Sequence, residues 1–342
     1  MRAIVVYGVS AVALVGLGIG SLFIGGSKST APDVSQTAVA AKTGPVEATA
    51  ALAPASKVQV MAQAPAVQPP QPTPMPRVAE APCQNPGALG VARVVEIDTS
   101  GGPGFGFQHF KAYDFLNPGE VVFTFDDGPW PGNTPAVLAA LAAQCTKATF
   151  FSIGKHAIWH PEILKQVAAA GHTVGSHTWS HADLSKKTPE EAKDEIEKGM
   201  SAVHAALGGP VAPFFRFPTL RQPQEMVTYL EGRNIAMFST DVDSFDFKIH
   251  KEDQLVTSVM SKLKKQGKGI ILMHDFQHGT AQALPQILAD LKAAGFKVVH
   301  LRPKSAAETL PEYDAMMSQE IKGGTANAKP TNSVVRTVSE GN

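Results

Sequence analysis

Thr124-Phe125-Asp126-Asp127-Gly128-Pro129 is the stretch from which the fold can be read. Glu120 to Thr124, leading into the aspartates, is an apolar and β-branched run of buried-strand type, and the Gly-Pro that follows is a turn signal. Two adjacent carboxylates therefore stand at a strand exit. Each needs solvent, a hydrogen-bond donor or a cation to offset its desolvation, and a cation is the economical answer. Two aspartates capping a turn are the plainer reading of this pair taken alone. The downstream sequence decides between them.

After Glu120 the chain alternates strand and helix. Strands are expected at Val121–Phe125, Ala148–Ile153, His172–Ser176, Pro213–Phe217, Ile235–Thr240, Gly269–Met273 and Lys297–Leu301. Helices are expected between them: one opened by Thr134-Pro135, one running from His160-Pro161 to Gly171, and one opened by the capping box Thr188-Pro189-Glu190-Glu191. Three more fit Gln222–Arg233, Lys251–Lys265 and Thr280–Ala294. The charged run Lys186–Lys198 reads as a solvated helix face. This rhythm implies a mostly parallel α/β sheet, closed or nearly closed as a barrel of seven strands. Gly101–Phe107 is glycine-rich but lacks the Lys-Ser/Thr of a phosphate loop, so it reads as an ordered loop.

Polar, chemically capable residues recur just after these strands: Asp126 and Asp127; His177 and His181; Arg216; Asp241, Asp243 and Asp246; His274 and Asp275. In a parallel α/β architecture all strand exits share one face, so these groups converge. In His177-Thr178-Trp179-Ser180-His181 two imidazoles stand four residues apart, able to share a metal, and the Glu of a zinc-protease helix is missing. Two nitrogens and one carboxylate oxygen make three protein ligands and leave a position for water, as in a catalytic zinc site.

Five segments in order, Thr124–Pro129, His177–His181, Arg216-Phe217-Pro218, Asp243–Phe247 and Leu272-Met273-His274, resemble the motifs of the NodB-type polysaccharide deacetylases, carbohydrate esterase family 4. The likeness runs from about Glu120 to Pro303. It implies a distorted (β/α)7-type barrel, the NodB homology domain, with one divalent metal, usually zinc. The implied activity is removal of N-acetyl groups from GlcNAc-containing polymers such as peptidoglycan, chitin or poly-GlcNAc. By the same resemblance Asp126 is the base, and Asp127, His177 and His181 hold the metal. Arg216 holds the base, and His274 is the acid oriented by Asp246. The backbone of Thr219 is the expected oxyanion donor, and Phe247 with Leu272 an apolar slot for the acetyl methyl. Thr219 and Phe247 depart from the usual Tyr and Trp, which bears on substrate preference more than on reaction type. An inactive glycan-binding member, or a hydrolase of a small amide or O-acetyl ester, are the alternatives.

The rest of the 342 residues frames this domain. Acidic and basic residues balance at 30 each, which excludes the electrostatic footprint of a nucleic-acid partner. Ala3–Ile24 is uncharged and mostly apolar, and at ~1.5 Å per residue spans roughly one hydrocarbon core. Residues 1–25 are thus expected to be a membrane anchor or a cleaved signal, with the domain outside the cytoplasm on either reading. Residues 26–82, rich in Ala and Pro, read as a disordered linker, 83–305 as the catalytic domain, and 306–342 as a disordered polar tail. Cys83 and Cys145 are the only cysteines and are expected to pair in an oxidising compartment.

Overall fold

The computed structural model describes residues 73–75 and 83–327. The expected anchor, most of the linker and the last part of the tail lie outside them. All described residues belong to the second of two compact units, 67–342. In chain order the elements are β1 (Arg93–Ile97), β2 (Gly104–Phe105), β3 (Glu120–Asp126), α1 (Asn133–Ala143), β4 (Thr149–Ser152), α2 (Gly154–Trp159), α3 (Pro161–Ala169) and β5 (Thr173–Ser176). They continue with α4 (Pro189–Leu207), β6 (Phe214–Phe215), α5 (Gln224–Gly232), β7 (Ala236–Phe238), β8 (Val242–Asp243), α6 (Glu252–Gln266), β9 (Gly269–His274), α7 (His278–Ala293), β10 (Lys297–Pro303) and α8 (Pro311–Asn327).

The seven expected strands are present, and three short ones, β1, β2 and β8, join them in a single parallel sheet. The barrel wall runs β8-β9-β3-β4-β5-β6-β7. Between β7 and β8 the wall does not pair directly. The stretch read as a plain loop, Gly101–Phe107, supplies β2 against β7, and Asp241 bridges the seam by accepting the N–H groups of Phe107 (2.6 Å) and Ile270 (2.7 Å). Asp241, expected among the functional carboxylates, is therefore a structural clasp. β10 leans across the floor of the barrel, where Thr173 Oγ1 at the start of β5 donates to the Leu301 carbonyl, and β1 pairs along its far side.

Strand periodicity explains the two cores. Val121, Phe123 and Phe125 of β3 face the helices, whereas Val122 packs inside the barrel with Phe151, Phe214, Phe238 and Ile270. Thr124 and Asp126 continue the inward row, so the interior turns from apolar to polar toward the mouth. Chemistry is confined to one end.

Three expectations are corrected. Helix α1 starts at Asn133, and Thr134 does not cap it: its hydroxyl accepts from Trp130 N and donates to Asp275. The charged run on α4 is not simply solvated, since Glu197 is buried under Tyr229 and Arg233, and Glu195 holds Ser180. Part of the tail forms α8, which packs on α4 and buries Met317. Cys83 and Cys145 form a disulfide that ties the start of the domain to the end of α1. Thr73–Met75, within the expected linker, lies beside the residues following β10, with an isolated bridge from Pro74 to Ser305.

Candidate active site

Strand alternation would send the side chains of Asp126 and Asp127 to opposite faces. A left-handed φ of 74° at Asp127 breaks the alternation, and both carboxylates turn to the mouth. Asp126 Oδ1 receives Arg216 Nη1 at 2.7 Å. Arg216 is fully buried and held by further hydrogen bonds: it also donates to Thr124 Oγ1 and the carbonyls of Phe238 and Ser239, and lies 4.4 Å over the Phe151 ring. Asp126 is thus locked from the barrel interior.

Asp127 Oδ1 is buried without a hydrogen-bond partner, 3.5 Å from His177 Nε2 and 3.5 Å from His181 Nε2. The three ligand atoms lie within 4.8 Å of one another. His177 Nδ1 donates to the Arg216 carbonyl at 2.7 Å, leaving the Nε2 lone pair directed at the cluster. Burial holds both imidazoles below the ordinary histidine range, His177 far below, so they are neutral donors. Burial pushes Asp127 up to about 7, a cost that a cation between it and the imidazoles would remove. An orphaned carboxylate oxygen and two neutral nitrogens fit a divalent ion of zinc type.

On the neighbouring strand, His274 pairs in register with Asp126. Its Nδ1 lies 2.6 Å from Asp246 Oδ1, while Asp246 Oδ2 accepts the His274 backbone N–H and the Thr280 hydroxyl. Burial opposes a charged ring here. The hydrogen bond and charge of Asp246, helped by Asp127 and Asp126, outweigh it and raise His274 to about 10. Leu272, two residues earlier, is buried on the same inward row. Phe247 stands at the rim, exposed, its ring edge-on to His274 at 5.8 Å. Thr219 sits in a tight turn after β6 with φ 54° and an exposed side chain, away from the interior hydrogen bonds that hold Arg216.

Several residues support this site; Asp275 is among the strand-exit groups expected from the sequence, whereas Glu195 and His156 are not. Asp275 is fully enclosed, accepts Gly128 N at 3.0 Å and Thr134 Oγ1 at 2.5 Å, and so pins the turn that carries Asp127. A Cβ on Gly128 would lie 2.0 Å from the Asp275 carboxylate, which is why the turn needs glycine. Glu195 accepts the N–H and hydroxyl of Ser180, fixing the loop between His177 and His181. His156 Nδ1 donates to the Asp127 carbonyl at 2.6 Å.

A parallel α/β barrel with a two-histidine, one-aspartate centre, an arginine-held acid and an aspartate-held histidine at its strand exits defines a narrow class. The polysaccharide deacetylase family model matches residues 116–237. The peptidoglycan-N-acetylglucosamine deacetylase of Listeria monocytogenes is 35% identical over 182 residues, covering 52% of this chain and 37% of that protein. A chitooligosaccharide deacetylase of Bradyrhizobium sp. is 30% identical over 192 residues, 52% of this chain and 87% of that one. Among solved structures, a peptidoglycan deacetylase of Bdellovibrio bacteriovorus superposes with a TM-score of 0.58 at 33% identity, covering 69% of this chain and 64% of the other. The chain belongs to the polysaccharide deacetylase family. It spans little more than a third of the length of the Listeria relative.

Proposed function

We propose that the chain is a metal-dependent N-deacetylase of GlcNAc-containing polysaccharide, splitting each acetamide with water into acetate and a free amine. One observation carries this reading: Asp127, His177 and His181 converge while Asp126, beside them, is held by Arg216 and left with a free oxygen. A divalent ion on the three ligands would supply a Lewis acid for the amide carbonyl and lower the pKa of water. The remaining roles belong to the chain. Asp126 Oδ2, unengaged by Arg216 and 3.9 Å from His177 Nε2, accepts the proton of the attacking water. His274, its Nδ1 taken by Asp246, presents Nε2 to protonate the departing nitrogen. The Thr219 N–H is assigned to the developing oxyanion, and Leu272 with Phe247 to the acetyl methyl.

The same reading places the domain outside the cytoplasm, tethered or released according to the fate of residues 1–25. It draws support from the Cys83–Cys145 disulfide and from the apolar run Ala3–Ile24. Purified protein with zinc should release acetate from peptidoglycan, chitin oligomers or poly-N-acetylglucosamine measured in parallel. Asp126→Asn should lose roughly 10²–10⁴ of the rate while keeping its metal. Metal-loaded protein that binds these polymers and frees no acetate would overturn the assignment in favour of a glycan-binding protein.

A further inference from the structure

At the end of the barrel away from Asp126 and Asp127, where the strands begin, a cavity of about 450 Å³ opens among α3, β5, β10 and the segment Thr73–Met75. That volume falls within the ~300–1,000 Å³ of small-molecule sites. Strand alternation supplies one wall: His300, Arg302 and Lys304, spaced by two, border the cavity, while Val299 and Leu301 pack inside the barrel. His172 and Thr173, at the start of β5, supply another. Ala168, Val174, Leu207 and Pro210 add apolar surface. None of these residues takes part in the centre.

Two buried imidazoles give the cavity a directed polar pattern. Thr173 Oγ1 spends its own proton on the Leu301 carbonyl at 2.5 Å, so it accepts from His300 Nε2 at 3.1 Å. The Nδ1 of His300 is then a bare lone pair, and it is buried with no hydrogen-bond partner. His172 is the converse: its Nδ1 accepts the Ala148 N–H at 3.1 Å, which leaves Nε2 as a donor. Burial holds both rings at about 3, so these are the tautomers of neutral imidazoles. One acceptor and one donor together match an amide, which offers N–H and C=O. A nitrogen buried without a partner costs free energy that a ligand N–H would recover. Cations stand at the edge. Lys165 on α3 is exposed and forms no ion pair among the described residues; Arg302 and Lys304 lie beyond His300, Lys304 being held by Asp98 at 2.9 Å. Among the described lining residues only Glu96 is acidic, so the field favours a carboxylate.

We propose that this floor cavity binds an acylamino carboxylate, the group presented by an N-acyl amino acid or by the C-terminal residue of a peptide, with its amide at His300 and His172 and its carboxylate toward Lys165. The site is separate from the centre and does not depend on what the centre hydrolyses. Binding of N-acetyl-alanyl-alanine to the full-length protein is measured by calorimetry near neutral pH. Its C-terminal carboxamide and N-acetyl-alanyl-lactate, in which an ester oxygen replaces the last N–H, are measured beside it. Each change to the probe should weaken binding about tenfold. Lys165→Glu should cost the acid a similar factor and leave the carboxamide unaffected; the side chain is exposed, so the fold is kept. His300→Gln, which keeps a donor for Thr173 and removes the Nδ1 lone pair, should erase the difference between amide and ester. Asp127→Asn, at the other end of the barrel, should bind the acid as the parent does. N-Acetyl-alanine and N-acetyl-trialanine separate the two sources: equal affinity would mark a free acylamino acid and tighter binding of the longer probe a peptide end, and both uphold the site. Undetectable binding at millimolar probe, equal affinity for acid and carboxamide, or binding lost in Asp127→Asn and retained in Lys165→Glu would overturn it.

Discussion

At Asp246 two jobs meet in one buried carboxylate: it orients the His274 ring and keeps that ring charged. His274 is raised to about 10, so its ring is charged below that value and loses the proton as pH rises through it. Asp246→Asn removes the charge and should move the alkaline limb of the pH–rate profile down toward the ordinary histidine range near 6.5. An unshifted limb would show that another group sets it. Asp275 acts one step further out, on the turn beneath Asp127. Asp275→Asn keeps an acceptor for Gly128 but offers an amide where Thr134 donates, and metal affinity should fall about 10–100-fold, measured by competition with a chelator. Thr134→Ser, which preserves the hydroxyl, should bind metal as the parent does.

Among the elements, α4 does more than its composition suggests. Its Glu195 carbonyl accepts Trp179 N and its Glu195 side chain holds Ser180, so the loop between His177 and His181 is drawn onto the helix. Gly199 allows that approach: a Cβ there would lie 2.4 Å from the Thr178 carbonyl carbon. Gly199→Ala gains about 1 kcal/mol of helix propensity but must displace backbone, typically costing about 1–3 kcal/mol. We expect a lower melting temperature together with weaker metal binding, read by calorimetry and by metal titration. The long elements were legible because their apolar period is regular and their caps are strong, as Thr188 and Glu191 show by completing their box. β1 was hidden because Arg93 and Glu96 interrupt its apolar run; β2 and β8, at two residues each, carry no period at all. The five motifs could be read because strand exits in parallel sheets converge whatever the loops do. The strand-exit placement of Asp241 and Asp275 could be read too, but not their partners, nor any part for Glu195, since what each contacts is set by chain folding and leaves no local pattern.

For the molecule as a whole, the floor of the barrel sets the response to acid. Burial holds His172 and His300 at about 3, against 6.5 for the free side chain. A base with a depressed pKa contributes fully above its unfolded value, and that contribution drains away as pH falls from about 6.5 toward 3. Glu120, joined by two hydrogen bonds to Arg93 across β3 and β1, is drawn from 4.5 to about 2, and its share is lost over that lower window. The melting temperature should therefore begin to drop just below neutrality and steepen in the carboxylate range. Glu120→Gln should cost roughly 1.5–3 kcal/mol near neutral pH and blunt the second fall. A melting temperature constant from neutrality into the carboxylate range would contradict this.

Thr73–Met75 reaches the domain beside the residues that follow β10, bordering the same cavity as His172 and Thr173, which mark where the strands begin. Everything reactive gathers where the strands finish. Thr73–Met75 thus meets the barrel from behind, and substitutions in these three residues should leave the mouth that holds Asp127, His177 and His181 undisturbed.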